Sequence, residues 1–206
     1  MLNTKEKILI AALHLFSQNG YEAVSVSQIA GELNMVKSAL STHYKNKRDI
    51  LDSIVQRMQE KDYENAHEHS MPENTIKVMP EEYKDVSIEL VKKYTMEQFD
   101  YWTKEDFPSS FRKMLTLEQF RNYEFSKLYH QYICTGPVLY MADIFKEKDV
   151  DKQDAYQLAL EFYAPMFILY SIYDGAKSAK EKSLVRSALK KHIDNFIERK
   201  EKNNGK

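Results

Sequence analysis

A single cysteine, Cys134, stands in 206 residues, so an internal disulfide and a cysteine-based zinc site are both excluded, and a reducing cytoplasm is the compartment that fits. Five glycines and five prolines are too few for a sandwich or barrel of short strands joined by tight turns. No apolar run approaches the roughly 20 residues that a membrane-spanning helix requires. The opening Met1-Leu2-Asn3-Thr4-Lys5-Glu6-Lys7 is polar and lacks the layout of a secretory signal. Catalytic signatures are missing too: there is no phosphate loop, no Gly-x-Ser-x-Gly elbow and no Cys–His pair marked by spacing. Glu64-x-x-His67 has the spacing of half a di-iron site, with Glu68 and His69 beside it, but no second Glu-x-x-His exists. It reads as a solvated helix end. Neither an enzyme nor a bound metal or cofactor is expected.

Leu, Lys, Glu, Met and Ala fill long uninterrupted stretches, which favours helices. The net charge of −1 hides an asymmetry. Residues 1–48 hold six basic side chains against three acidic ones, a net +3, which leaves −4 on the other 158 residues. A basic end on an acidic body suggests an anionic partner for that end.

The first fifty residues carry the sharpest local signals. Ile8, Ala11, Ala12, Leu15 and Phe16 recur with the period of an amphipathic helix. Thr4 is placed to cap its start, Asn19-Gly20 to stop it, and Tyr21 to fold back on its last turn. Ser25 and Gln28 form a capping box, with Val24 and Ile29 at the staple positions. That helix is expected to bury Ile29, Ala30 and Leu33 and to end at a left-handed Asn34, with Met35 tucked inward. A third short helix over 37–43 anchors on Leu40, and Tyr44 follows it. Asn46 caps a fourth helix whose apolar face is Ile50, Leu51, Ile54, Val55 and Met58. Three short helices with a tight turn between the second and third follow the helix-turn-helix plan.

These residues resemble a known family. The run Ile8-x-x-Ala11-Ala12-x-x-Leu15-Phe16-x-x-x-Gly20-Tyr21-x-x-Val24-Ser25-Val26-x-x-Ile29-Ala30 is similar to the DNA-binding domain of TetR regulators. Its continuation, Leu33-Asn34-Met35-x-Lys37-x-x-Leu40-x-x-His43-Tyr44-x-x-Lys47, is similar as well, over about forty residues without a gap. The resemblance implies a DNA contact set of Ser27, Lys37, Ser38, Ala39, Ser41, Thr42, His43, Tyr44 and Lys47. Small hydroxylated side chains suit a helix pressed into the major groove, and Ala39 can meet a thymine methyl. His43, Tyr44 and Lys47 correspond to positions that hold the DNA backbone, with the N-terminus of the fourth helix assisting at a phosphate. Lys45 and Arg48 are open between DNA contact and simple solvation. Val36 stands where a capping Ser or Thr is common, and Ser41 where a Tyr is common.

Beyond residue 48 the signals are coarser. The fourth helix is expected to reach about Ala66, and 67–79 reads as a linker. Pro80-Glu81-Glu82 opens a long helix burying Tyr83, Val86, Leu90, Val91, Tyr94 and Trp102. Asp106-Phe107-Pro108 restarts the chain into a helix with Phe111, Met114, Leu115 and Phe120, and another runs from about Tyr123 through Tyr132. Gly136-Pro137 breaks or kinks the chain, and 138–146 resumes. Asp151 caps a helix that contains Pro165 and ends at Asp174-Gly175, and a last helix carries Leu184 through Ile197.

The expected architecture is all-α: a helix-turn-helix DNA-binding domain over 1–48, a helical ligand-binding and dimerisation domain over 49–200, and a charged disordered tail over 201–206. The resemblance implies a homodimer through about 151–174 and 180–198. It also implies a repressor that leaves double-stranded operator DNA on binding a small effector. The aromatics of the body serve core and dimer interface, or line a pocket for an apolar or aromatic effector. Tyr94, Phe99, Trp102, Phe111, Gln119, Tyr123, Tyr140, Tyr163 and Phe167 are the candidates. A DNA-binding adaptor that senses a protein, or nothing, rather than a small molecule is the competing reading.

Overall fold

The computed structural model describes residues 3–68, 86–146 and 152–204. Among them the chain is all-helical, with no strand. The helices are α1 (Thr4–Asn19), α2 (Val26–Glu32), α3 (Lys37–Ser41), α4 (Lys47–Glu68), α5 (Ile88–Lys104), α6 (Asp106–Glu118), α7 (Tyr123–Tyr132), α8 (Thr135–Lys146), α9 (Lys152–Gly175) and α10 (Ala179–Asn204). They divide into two compact units, Met1–Asn65 with Glu105–Ile133, and Ala66–Lys104 with Cys134–Lys206. The first unit thus joins α6 and α7 to the N-terminal helices, and compactness does not break at residue 48.

In the first unit, α1 buries Ile8, Ala11, Ala12 and Phe16 on the expected stripe. Its cap is Asn3 rather than Thr4: the Asn3 side chain accepts from the Glu6 N–H at 2.8 Å, and Thr4 is already helical. The helix stops at Gly20, whose φ of +84° is open to glycine and costly for other residues. Tyr21 then folds back, its ring 5.1 Å from that of Phe16. Ser25 and Gln28 close the capping box on α2. Val24 and Ile29 are buried beside it. Asn34 takes the left-handed turn at φ 54°, although Leu33 and Met35 are only half-buried. Asn46 caps α4 by accepting from the Asp49 N–H at 2.9 Å.

Further along this unit, α6 buries Phe107, Phe111, Met114 and Leu115. Phe120, expected on the same face, is 91% exposed because α6 ends at Glu118 and Phe120 falls on the corner before α7. Asn122 caps α7 at the Glu124 N–H.

In the second unit, α5 begins at Ile88, with Ser87 Oγ accepting from the Leu90 N–H at 3.1 Å. The start expected at Pro80-Glu81-Glu82, Tyr83 and the Asp151 cap lie outside the described residues, as does all of the expected linker beyond Glu68. Gly136-Pro137 sits in the first turn of α8, where a missing proline N–H breaks no helical bond. Pro165 lies inside α9 without ending it. A triangle of rings forms the core: Phe162 lies 5.9 Å from Phe145 and 5.1 Å from Phe196. Two ion pairs clasp α5 to α10 in antiparallel register, Lys92 with Asp194 and Asp100 with Arg186. The expected tail is corrected in part, since α10 continues through Asn204 on a run of strong helix formers.

Candidate nucleic-acid interface

The interface is built on the short helix α3. Lys37, Ser38, Ser41, Thr42 and His43 are exposed, Ala39 is half-buried, and Leu40 is fully buried beneath them. One apolar anchor therefore holds a face of small side chains outward. Ser27, on α2, is exposed as well. The helix is five residues long against the seven expected. Val36 supplies no side-chain cap, and residues 42 and 43 form a turn instead. Two hydroxyls fold back on the backbone: Ser41 Oγ donates to the Lys37 carbonyl at 3.0 Å, and Thr42 Oγ1 to the Ala39 carbonyl at 2.7 Å. Each hydroxyl oxygen keeps acceptor capacity, and each rotor can turn toward an incoming acceptor.

Tyr44 is a core residue. Its ring is 2% exposed, its hydroxyl donates to the Lys5 carbonyl of α1 at 3.3 Å, and burial raises its phenol pKa. Lys47, expected at the DNA backbone, is half-buried. Its ammonium turns inward, donating to the Tyr21 carbonyl at 2.8 Å and the Glu22 carbonyl at 3.4 Å. The same nitrogen lies 4.3 Å from the centre of the Tyr21 ring. Arg48 is engaged too, by Asp52 at 2.7 Å and by both oxygens of Glu124 on α7 at 2.6 and 2.7 Å, which hold the guanidinium firmly charged. Lys45 is exposed, and its backbone N–H donates to Asp49.

Behind this face the first unit is tied together by acids of α6 and α7, which sequence reasoning missed. Asp106 holds His14 at 2.8 Å, and Glu118, fully buried, accepts from the Tyr21 N–H at 2.9 Å. These partners stand 92 and 97 residues apart, and no local pattern marks them.

The expected effector residues fall in both units. Tyr94, Phe99, Trp102, Tyr140, Tyr163 and Phe167 belong to the second unit, while Phe111, Gln119 and Tyr123 belong to the first. Phe111 is fully buried, its ring edge-on to that of Tyr132 at 5.3 Å. Tyr123 opens α7 at 80% exposure, beneath Lys127, so it lines no interior cavity of its unit. In the second unit Phe99 stacks on Tyr170 at 5.5 Å and meets Tyr173 edge-on, and Tyr94 faces Tyr140 at 6.5 Å. An open groove of about 370 Å³ lies on α1 and α2, lined by Lys7, Ile10, Ala11, His14, Leu15, Gln18, Glu32 and Leu33, none of them among the nine candidates. No helix among the described residues is long and apolar enough to cross a membrane.

Residues 8–54 match the family described as bacterial regulatory proteins, tetR family. IcaR, the negative transcriptional regulator of the icaADBC biofilm operon of Staphylococcus epidermidis, is 36% identical over 52 residues, 25% of this chain and 28% of that protein. Similarity beyond this segment is one of fold. A TetR/AcrR-family transcriptional regulator from Aquifex aeolicus superposes with a TM-score of 0.59 at 19% identity, over 91% of this chain and 98% of that one. SmeT, repressor of the Stenotrophomonas maltophilia multidrug efflux pump SmeDEF, solved as a triclosan complex, gives 0.61 at 16% identity, over 94% and 90%.

Proposed function

We propose that this chain, whose residues 8–54 match bacterial regulatory proteins of the tetR family, belongs to that family and is a homodimeric transcriptional repressor. It binds a near-palindromic operator through α3 and is released by a small apolar or aromatic effector. The observation that carries this reading is α3 itself: a buried Leu40 beneath an outward face of Lys37, Ser38, Ser41 and Thr42, within residues 8–54 that match the tetR family. Those side chains are small enough to enter a major groove and able to reach base edges. Ser27, Ala39 and His43 complete the proposed contact set, and the basic balance of residues 1–48 favours phosphate.

Dimerisation through α9 and α10 is supported by a stripe on α9. Tyr156, Leu160, Ile168 and Ile172 lie at multiples of four residues and are 40–65% exposed in the single chain, and Leu184 of α10 is 62% exposed. Such a ridge packs against another helix rather than facing water. The dimer would set two α3 helices about 34–36 Å apart, in successive major grooves. Function then divides near residue 48, with DNA reading before it and effector binding and dimerisation after it. The effector class rests on the aromatics of the second unit, with Phe99 against Tyr170 at their centre, and on the triclosan bound by SmeT. An effector acts only through its differential affinity for two head spacings, typically about 1–3 kcal/mol.

The test is footprinting on the DNA flanking the chain's own gene at several salt concentrations. A protected near-palindrome, lost in Lys37→Ala with Thr42→Ala, is expected. No protection there or in a random-sequence pool overturns the reading.

A further inference from the structure

We propose that Lys47 is a positioning residue of the DNA-binding head and not one of its phosphate contacts, and that Lys45 carries the phosphate charge at this end of the motif. The inference rests on the DNA-binding reading above and assigns a role within it. Tyr21 is the point on which it turns. Its N–H donates to Glu118 of α6, its carbonyl accepts from Lys47 of α4, and its ring lies between Phe16 of α1, at 5.1 Å, and Phe125 of α7, at 5.5 Å. Lys47 covers the same ring with its ammonium at 4.3 Å.

A cation at the first position of a helix faces the positive end of the helix dipole, where it is disfavoured. Lys47 escapes this by bending away onto two carbonyls and a ring face, all of which attract an ammonium. The location gives the bond its leverage. Tyr21 and Glu22 lie in the turn between α1 and α2, and Lys47 opens the helix that follows α3. The bond between them, 26 residues apart, therefore closes a ring of chain that contains the whole helix-turn-helix. Within that ring α3 is short and uncapped, so its presentation depends on how its two ends are held. To reach a phosphate, the Lys47 ammonium would have to leave both carbonyls and the ring. Lys45, two residues earlier and exposed, has no such bonds among the described contacts.

Salt dependence separates the two roles, because each phosphate neutralised by a cation contributes about 0.9 to the slope of log affinity against log salt. Lys47→Met and Lys45→Met are compared in the full chain, on the protected operator, after circular dichroism shows both folded. Lys47→Met is expected to weaken binding roughly tenfold at every salt concentration with the slope unchanged, the scale of one charge-assisted hydrogen bond lost. Lys45→Met is expected to lower the slope by about 0.9. A slope lowered by Lys47→Met places its ammonium on DNA and overturns the proposal, and so does wild-type affinity in the folded Lys47→Met protein. If the wild type protects no operator, the DNA-binding reading fails by itself. Thermal unfolding then tests the staple without DNA: a melting temperature lower in Lys47→Met than in Lys45→Met supports it, and equal values sink it.

Discussion

The carboxylate of Glu118 occupies the space that a side chain at Gly20 would need: a Cβ at Gly20 would stand 2.5 Å from Glu118 Oε1. Gly20 also sits at φ +84° and ψ 153°, a backbone region that only glycine visits readily. Two constraints therefore meet at one residue. Gly20→Ala is expected to cost about 1–3 kcal/mol from the backbone alone. The displaced carboxylate would add to that by leaving the Tyr21 N–H, which it holds at 2.9 Å in a buried setting. Urea unfolding of Gly20→Ala, Glu118→Ala and the double variant separates the terms. The double variant should be less destabilised than the sum of the singles, since removing Glu118 removes the clash while the φ strain stays. Strict additivity would show that the two residues do not collide.

Asp62 makes a prediction in pH. It lies on α4, and burial raises its carboxyl pKa to about 6, while its charge helps to push up the phenol of Tyr132. A carboxyl whose folded pKa exceeds its unfolded value of about 3.9 binds protons more tightly in the native state. Its contribution is therefore most favourable below about pH 4 and declines as pH rises through about 6, beyond which the full penalty of a buried charge is present. Asp62→Asn removes the charge and should raise stability at pH 7.5 by about 1–3 kcal/mol, with a much smaller gain at pH 4. Chemical unfolding at the two pH values measures this. An equal effect at both would show that Asp62 titrates normally.

The stripe on α9 leads to a prediction about assembly. Ile168 and Ile172, at 65% and 50% exposure, are surplus to the fold of their own unit. A charge on both should leave folding intact and break the pairing of two chains. Ile168→Glu with Ile172→Glu is expected to sediment as a monomer at micromolar concentration, with an unchanged circular dichroism spectrum. The same pair of changes should reduce operator affinity by orders of magnitude, because a lone head forfeits the second half-site. A variant that remains dimeric would move the interface elsewhere.

Local signals in the sequence translated well into structure, and long-range ones did not. Ser25 and Gln28 close their box, Asn34 turns left-handed and Asn46 caps α4, because each acts within four residues of itself. Asn3 displaced Thr4 as the first cap for the opposite reason, since either side chain satisfies the same orphan N–H and only the observed start of the helix chooses. The resemblance marked Lys47 as a DNA contact from its position alone. Its inward turn depends on where Tyr21 and Glu22 lie in space. The grip of Glu124 on Arg48 spans 76 residues and belongs to a helix that no N-terminal pattern mentions. The sequence marks Tyr123 as a lining candidate and Phe120 as part of an apolar helix face because they are aromatic, yet the corner between α6 and α7 turns both outward.

Val36 offers the converse of a loss. It is the N-cap of α3 in extended conformation, φ −79° and ψ 148°, 68% exposed and without a side-chain oxygen to accept the orphan N–H groups behind it. The backbone there is already what a capping serine adopts, so Val36→Ser introduces the missing acceptor without moving the chain. An exposed valine gives up little burial in exchange. The change should stabilise the protein by about 0.5–1 kcal/mol, toward the lower end of measured caps, because a five-residue helix gains only its first turn. If α3 is ordered further by DNA, part of that ordering cost moves into the free protein, and operator affinity rises by a similar factor with the salt slope unchanged. Val36→Ala, which removes the apolar side chain and adds no acceptor, is the control. Equal behaviour of Val36→Ser and Val36→Ala, in unfolding and in operator binding alike, would show that α3 is held entirely by Leu40 and by its brackets at Tyr21 and Lys47.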